Sequence, residues 1–256
     1  MTDYEHTPVT VDGKTAVVIG GTSGIGEAIA LGFASEGADV VATSRSSERV
    51  RDTAAKLREL GAETVERPCD VTDRATLERL RDEVDDELGE VDVLVTSAGA
   101  VSRDRVLDVS ESEWRRVVDV QLDGVYRAVQ TFAREMSGGS VVAISSVAAE
   151  LAMSHLPAYS AAKGGTDAFV RAAAKELAPD VRVNALSPGF VITPQNAETY
   201  AEGTEKRERL DRRTPMKRVA DREEMVGAAI YLASDASSFT TGEVIRVDGG
   251  FAPSAL

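Results

Sequence analysis

The stretch TAVVIGGTSGIGEAIALGFASEG, residues 15–37, decides the fold. A short β-branched run leads into a turn with glycines at 20, 24 and 26, and that turn opens directly into a helical pattern. Strand, glycine turn and helix in this order set the amide donors of a helix N-terminus beside backbone that a phosphate can approach. Gly20 permits the tight turn, Gly24 the close approach, and Gly26 the packing of helix on strand. Thr22, Ser23 and Ile25 complete the predicted cradle.

Working outward, short apolar runs alternate with longer helical patterns, the signature of βαβ units and a parallel sheet. TAVVI (15–19), DVVAT (39–43), ETVER (63–67), VDVLV (91–95), SVVAIS (140–145), VRVNAL (181–186) and EVIRV (243–247) are the expected strands. Helices are expected near 24–36, 47–60, 73–88, 111–136, 157–178 and 221–233. Strands apolar along most of their length imply helices on both faces. The expectation is an α/β fold: one doubly wound domain of Rossmann type over residues 13–256, with a seven-stranded parallel sheet. Residues 1–12 read as a loosely held tail, and the polar insertion 193–214 as a substrate lid beyond the carboxyl end of a strand.

Composition narrows the partners. The 256 residues are 43% hydrophobic, ordinary for one globular domain. No apolar run approaches the ~20 residues of a membrane span, and MTDYEHTPVTV lacks a signal-peptide pattern, so a cytoplasmic protein without a membrane partner is expected. One cysteine, Cys69, and two histidines, His6 and His155, leave no disulfide and predict no bound metal. With 43 acidic against 29 basic residues the formal charge is −14, which disfavours nucleic acid. The basic residues comprise 23 Arg and only 6 Lys. Acidic, lysine-poor surfaces resemble those of proteins from salt-loving organisms, where salt screens self-repulsion; an acidic protein of a high-GC genome is the other reading.

The end of the second strand bears on which dinucleotide is bound, because a carboxylate there bonds the adenosine ribose of NAD. Here VVATSRSS puts Ser44 at that position and Arg45 next to it. A guanidinium and hydroxyls suit a 2′-phosphate, so NADP is expected as cofactor with NAD possible. In CDVTD, Asp70 and Val71 fall where the adenine would lie, while Asp73 reads as a helix N-cap.

YSAAK, residues 159–163, sets a phenol and an ammonium one helical turn apart, by itself an ordinary helix pair. Together, however, the glycine turn, Asp70, Ser146, YSAAK and RVNALSPG (182–189) resemble the short-chain dehydrogenase/reductase family, from about Lys14 to Phe251. The resemblance implies that Tyr159 is the acid/base of hydride transfer. It implies that Lys163 lowers the phenol pKa and bonds the nicotinamide ribose, and that Ser146 holds the substrate oxygen, leaving Ser145 to packing. Ser97, Ala98 and Gly99 would contact the cofactor, as would Pro188, Gly189, Val191 and Thr193 near the carboxamide. It also implies a homotetramer assembled through the helices at 111–136 and 157–178 and the C-terminal strand region.

Three positions depart from the family pattern. Ile19 replaces a threonine before the first glycine, and TSAG (96–99) replaces NNAG, so Thr96 and Ser97 offer hydroxyls that could bond neighbouring backbone. Gln121 stands where an asparagine completes the proton relay, with the same groups on a longer stem. With Ser146, Tyr159 and Lys163 all present, an active enzyme is expected.

For the substrate, VAAELAMSHLPA (147–158) would line one wall, bringing Glu150 and His155, and the lid carries Arg207, Arg209, Arg212 and Arg213, which could clamp an anion or lie solvated. The aromatic content of 5% suits a polar pocket better than a large apolar one. A sugar, sugar acid or polyol leads; a 3-oxoacyl thioester and a silent NADP-binding sensor are the alternatives.

Overall fold

A computed structural model describes residues 6–252 of the chain. Strands form where aliphatic residues run together. They are β1 (Thr15–Ile19), β2 (Asp39–Thr43), β3 (Val93–Thr96), β4 (Gly139–Ile144) and β5 (Val181–Pro188), then the two-residue partners β6 (Val191–Ile192) and β7 (Ala220–Asp221), and finally β8 (Val244–Val247). The helices are α1 (Gly24–Ser35), α2 (Ser47–Glu59), α3 (Arg74–Leu88), α4 (Glu111–Val118), α5 (Gly124–Phe132), α6 (Pro157–Leu177), α7 (Glu205–Arg213) and α8 (Val226–Ala233).

The main sheet has the order β2-β1-β3-β4-β5-β8, and every pairing is parallel. Alternate residues of one strand enter opposite cores. Val17 and Ile19 pack with α3 and α5 residues such as Leu77, Leu80 and Phe132, whereas Ala16 and Val18 pack with Ile29, Phe33 and Leu232 of α1 and α8. That period of two under a double helical cover is why the strands lack a polar face. The chain leaves β1 first for β2 on one side and then for β3 on the other. The resulting switch point opens a crevice beyond the strands' carboxyl ends.

Several expectations need correction. The sheet has six strands, not seven, because residues 63–67 form no ladder. They do run beside β2, but side chains take bonds that a ladder would use. The Glu63 amide donates to Asp39 Oδ1 at 2.7 Å and the Thr43 hydroxyl donates to the Arg67 carbonyl. The helix expected over 111–136 is broken by a π turn, Asp119–Asp123, and ends at Phe132. That expected from 221 begins at Val226, after a 3₁₀ turn over Arg222–Met225. Within the supposed tail, His6–Val9 are exposed but Val11 is fully buried in the α1 core; residues 1–5 lie outside the described part.

One carboxylate ties the α1 face together. Glu27 on α1 is buried and accepts from Lys56 on α2 at 2.7 Å and from Arg222 at 2.6 Å. Burial alone would raise its pKa, but the two hydrogen bonds outweigh it and hold the carboxyl below its usual value of 4.5. A depressed carboxyl adds stability above its unfolded pKa and loses it as pH falls through the folded value. Glu27→Gln should therefore lower stability at pH 7 by about 1–3 kcal/mol. It should also flatten the acid slope of Tm below 4.5. Thermal melts of both proteins across that range test this, and parallel slopes would refute it.

Candidate active site

A cleft of about 1460 Å³ opens at the switch point, over the carboxyl ends of β1, β3, β4 and β5. Its floor at one end is the glycine turn. Gly20 has φ +82°, and a Cβ there would lie 2.4 Å from the Ala98 amide nitrogen; a Cβ on Gly26 would lie 2.3 Å from the Gly20 carbonyl oxygen. Both distances are too short for any side chain, so glycine is required for α1 to seat on the turn. Gly26 does not line the cleft, and it supports the cradle from beneath. The Thr22 hydroxyl donates to Ser44 Oγ at 2.7 Å, locking the turn to the end of β2. Beyond Ser44, Arg45 and Arg49 both line the cleft, as do Asp70 and Val71. The Asp70 carboxylate accepts from the amide and hydroxyl of Thr72, which fixes the loop.

Farther along lie Ser97, Ala98 and Gly99, then Pro188, Gly189, Val191 and Thr193. The Gly189 backbone passes close to Asp248, where a Cβ would come within 2.7 Å of Asp248 Cα. Thr96 does not make the backbone bond that its hydroxyl could offer. Its hydroxyl is buried without a partner among the described residues.

The cleft's other end gathers Ser146, Tyr159, Lys163 and Gln121. Ser146 sits just beyond β4, and its Oγ accepts from the Ala148 amide at 3.1 Å. Tyr159 and Lys163 project from the first two turns of α6, which starts at Pro157, a residue suited to a helix's first position. Lys163 is buried, and its Nζ donates to the Ile144 carbonyl at 2.5 Å. Burial pushes its pKa down to about 8, against an opposing pull from Asp167. The Asp167 carboxylate itself accepts from the Ser145 hydroxyl at 2.5 Å, so Ser145 does more than pack.

Tyr159 departs from expectation. Burial raises its pKa, the hydrogen bond with Ser146 opposes the rise, and Tyr200 adds to it. Lys163 Nζ is turned to the Ile144 carbonyl and lies 5.7 Å from the Tyr159 ring centroid. Gln121 lies within the π turn, and such bulges recur at functional sites. Its Nε2 donates to the Ala100 carbonyl at 2.9 Å, and its backbone carbonyl accepts from the Thr166 hydroxyl. Its Oε1 is buried with no partner among the described residues, an acceptor still unspent beside the lysine's wall of the cleft.

The segment expected as a lid shares a small core of Tyr200 and Leu210 with Val219 and Phe251 beyond it, and Phe190 lies edge-on to both Tyr200 and Phe251. The segment reaches the cradle directly, as Gln195 Nε2 donates to Ser23 Oγ at 3.0 Å. His155 lines the cleft, but Glu150 does not; it is paired with Arg246 at 2.6 Å. Of the four lid arginines, only Arg209 and Arg213 face the cleft, joined by Lys206. Sequence reading missed Arg49, Arg103, Tyr200, Lys206 and Phe251. Arg49 stands four residues after Arg45, a signal that was available; Tyr200, Lys206 and Phe251 reach the cleft through packing around Phe190 and Leu210, and Arg103 from the segment after β3.

The cleft's dimensions suit a dinucleotide, with a glycine cradle closed to any Cβ and two guanidiniums past the end of β2. Among the described residues no cluster of His, Cys, Asp or Glu is placed to hold a metal, and no helix is long and apolar enough to cross a membrane.

Comparison with known proteins agrees with this geometry. The family model described as enoyl-(acyl carrier protein) reductase matches residues 20–252. The 3β-hydroxysteroid dehydrogenase 1 of Eggerthella lenta is 37% identical over 244 residues, 93% of each chain. The 3-oxoacyl-[acyl-carrier-protein] reductase of Thermotoga maritima is 36% identical over 245 residues, 94% of this chain and 98% of its own. Among solved structures, a gluconate 5-dehydrogenase from Burkholderia cenocepacia in complex with NADP and tartrate superposes with a TM-score of 0.91 at 31% identity, covering 96% of this chain and 98% of that one. With the cradle, the Ser146–Tyr159–Lys163 grouping and these matches in agreement, the chain belongs to the short-chain dehydrogenase/reductase family of NAD(P)-dependent oxidoreductases.

Proposed function

We propose that this protein is an NADP-preferring oxidoreductase that interconverts an alcohol and a carbonyl on a small hydroxylated substrate, a sugar, sugar acid or polyol. The observation that carries the reading is one continuous cleft with Arg45 and Arg49 at one end and Ser146, Tyr159 and Lys163 at the other. The dinucleotide, when bound, supplies or accepts the hydride. Ser146 holds the substrate oxygen, and Tyr159 gives or takes its proton. Lys163 bonds the ribose and, as an ammonium, favours the phenolate that proton removal needs. Gln121 offers its unspent Oε1 to the proton relay. The gluconate 5-dehydrogenase likeness supports the sugar-acid class. The Thermotoga relative supports a 3-oxoacyl thioester as the second reading. A cytoplasmic homotetramer adapted to salt accompanies the proposal, as the charge of −14 makes screening favourable to assembly.

The first test follows nicotinamide absorbance with sugars, sugar acids, polyols and 3-oxoacyl thioesters. Tyr159→Phe should cut kcat by about 10²–10⁴-fold with NADP affinity retained. Full activity in that variant would remove Tyr159 from the reaction, whereas NADP binding without turnover on any carbonyl would leave a nucleotide sensor. Arg45→Ala with Arg49→Ala should raise KM for NADP roughly tenfold or more while sparing NAD, since only the 2′-phosphate loses charge-assisted bonds; equal losses for both cofactors would argue against the preference.

The pH profile gives a further check. Lys163 is charged below about 8, so kcat/KM for the cofactor, which reports the free enzyme, should fall as pH rises through that value. Asp167→Asn removes the carboxylate that props up the ammonium, so the limb should move to lower pH. An unmoved limb would mean that Asp167 does not act on Lys163.

A further inference from the structure

α7 sorts its charges by face. Arg207 pairs with Asp211 at 3.0 Å and Arg212 with Glu208 at 3.6 Å, which spends these two cations along the helix surface. Lys206, Arg209 and Arg213, at i, i+3 and i+7, share the stripe of Leu210, the helix's buried residue, and that stripe lines the cleft. None of the three has an ion pair among the described residues. Lys206 instead sits over the Tyr200 ring at 5.1 Å and Arg213 over the Phe251 ring at 4.8 Å, contacts that position a cation without neutralising it. From the segment after β3 a fourth, Arg103, lines the same cleft and is likewise unpaired among the described residues.

These cations crowd one another. After burial, Arg103 and Arg209 are the groups that depress the Lys206 pKa, and Arg103 also acts on Tyr200. Tyr200 in turn acts on Tyr159, which brings the cluster and the reacting end into one cavity. In a chain with 43 acidic residues, four cations thus stand together with no ion-paired carboxylate among the described residues. Such repulsion is relieved by an anion bound among them. The phosphate at the adenosine end does not serve, since Arg45 follows the edge strand β2, whereas the cluster adjoins Tyr200 and through it Tyr159.

We propose that the substrate carries an anionic oxygen group, a carboxylate or a phosphate, gripped by Lys206, Arg209 and Arg213 of α7 together with Arg103 while its reacting carbon lies at Ser146 and Tyr159. The proposal rests on the oxidoreductase reading above and sharpens its substrate class. The clamp also explains the small core beneath the lid. Phe190, Phe251 and Tyr200 pack edge to face and hold rigid the rings on which two of the cations rest.

The experiment compares matched pairs with NADP: gluconate against glucitol for a carboxylate, and glucose 6-phosphate against glucose for a phosphate. At least one charged member should exceed its neutral partner in kcat/KM by roughly tenfold or more, the scale of a charge-assisted bond. The excess should shrink as salt is added. Lys206→Gln with Arg209→Gln should bring the ratio toward one without changing NADP affinity. A ratio near one in the unmodified enzyme, or one that the double variant leaves intact, overturns the clamp while turnover itself upholds the oxidoreductase. Turnover confined to a thioester on an acidic carrier protein also overturns it. If neither a pair nor a thioester is turned over, the oxidoreductase reading fails, and the clamp is judged by calorimetry of NADP-loaded protein with tartrate against threitol. Tartrate binding that the double variant weakens tenfold sustains it, and equal or absent binding ends it.

Discussion

Everything in this molecule hangs on a backbone contact that leaves no room for a side chain. Gly26 of α1 lies over the Gly20 carbonyl, and Gly20 lies under the Ala98 amide, at distances where any Cβ would collide. That contact brings the first helix, the first strand and the loop after β3 to one point. The positive end of α1, the crevice between diverging crossovers and the TSAG backbone therefore meet there. The rest of the sheet follows as a consequence of parallel pairing outward from β1, with each strand buried on both faces. Ion pairs around Glu27 then fasten α2 and the turn before α8 to the same helix.

At the reacting end, burial works against both titrating groups. It raises the phenol of Tyr159 and lowers the ammonium of Lys163, so each is moved towards its neutral form. Two hydroxyl contacts oppose this in separate ways. Ser146 bonds the tyrosine directly, and Ser145 holds the Asp167 carboxylate whose charge supports the lysine. Adjacent serines at the end of β4 point to different partners because successive residues of an extended chain face opposite sides. The pair thus joins the strand end to both titrating residues of α6.

The charge distribution is the second organising feature. Arg45 and Arg49 line the cleft past the end of β2, and Lys206, Arg209 and Arg213 line it from α7. An overall charge of −14 would repel anionic ligands at a distance, so local placement has to do the recognising. The lid's aromatic core serves this by fixing where the cations stand.

Much of this was legible in the chain itself. β1 and β2 fall on the residues expected from their β-branched runs, and α1, α2, α3 and α6 within a residue of their expected ends, because periodicity and caps are local properties. The glycine turn and the Tyr159–Lys163 pair were equally visible, since both are short motifs whose geometry is set by neighbours in sequence. Other features depended on neighbours in space. Residues 63–67 read as a strand, yet Asp39 and Thr43 took the bonds of its ladder. The long helix from 111 broke at a π turn whose Gln121 carbonyl accepts from Thr166 of α6. Four lid arginines looked alike, and only the fold of α7 divided them into two that pair along the helix and two that turn to the cleft with Lys206. The sequence by itself determined which elements form and which chemistry they carry. The tertiary structure decided which charges are left unpaired, because a charge's partner is set by distance across the fold and not by distance along the chain.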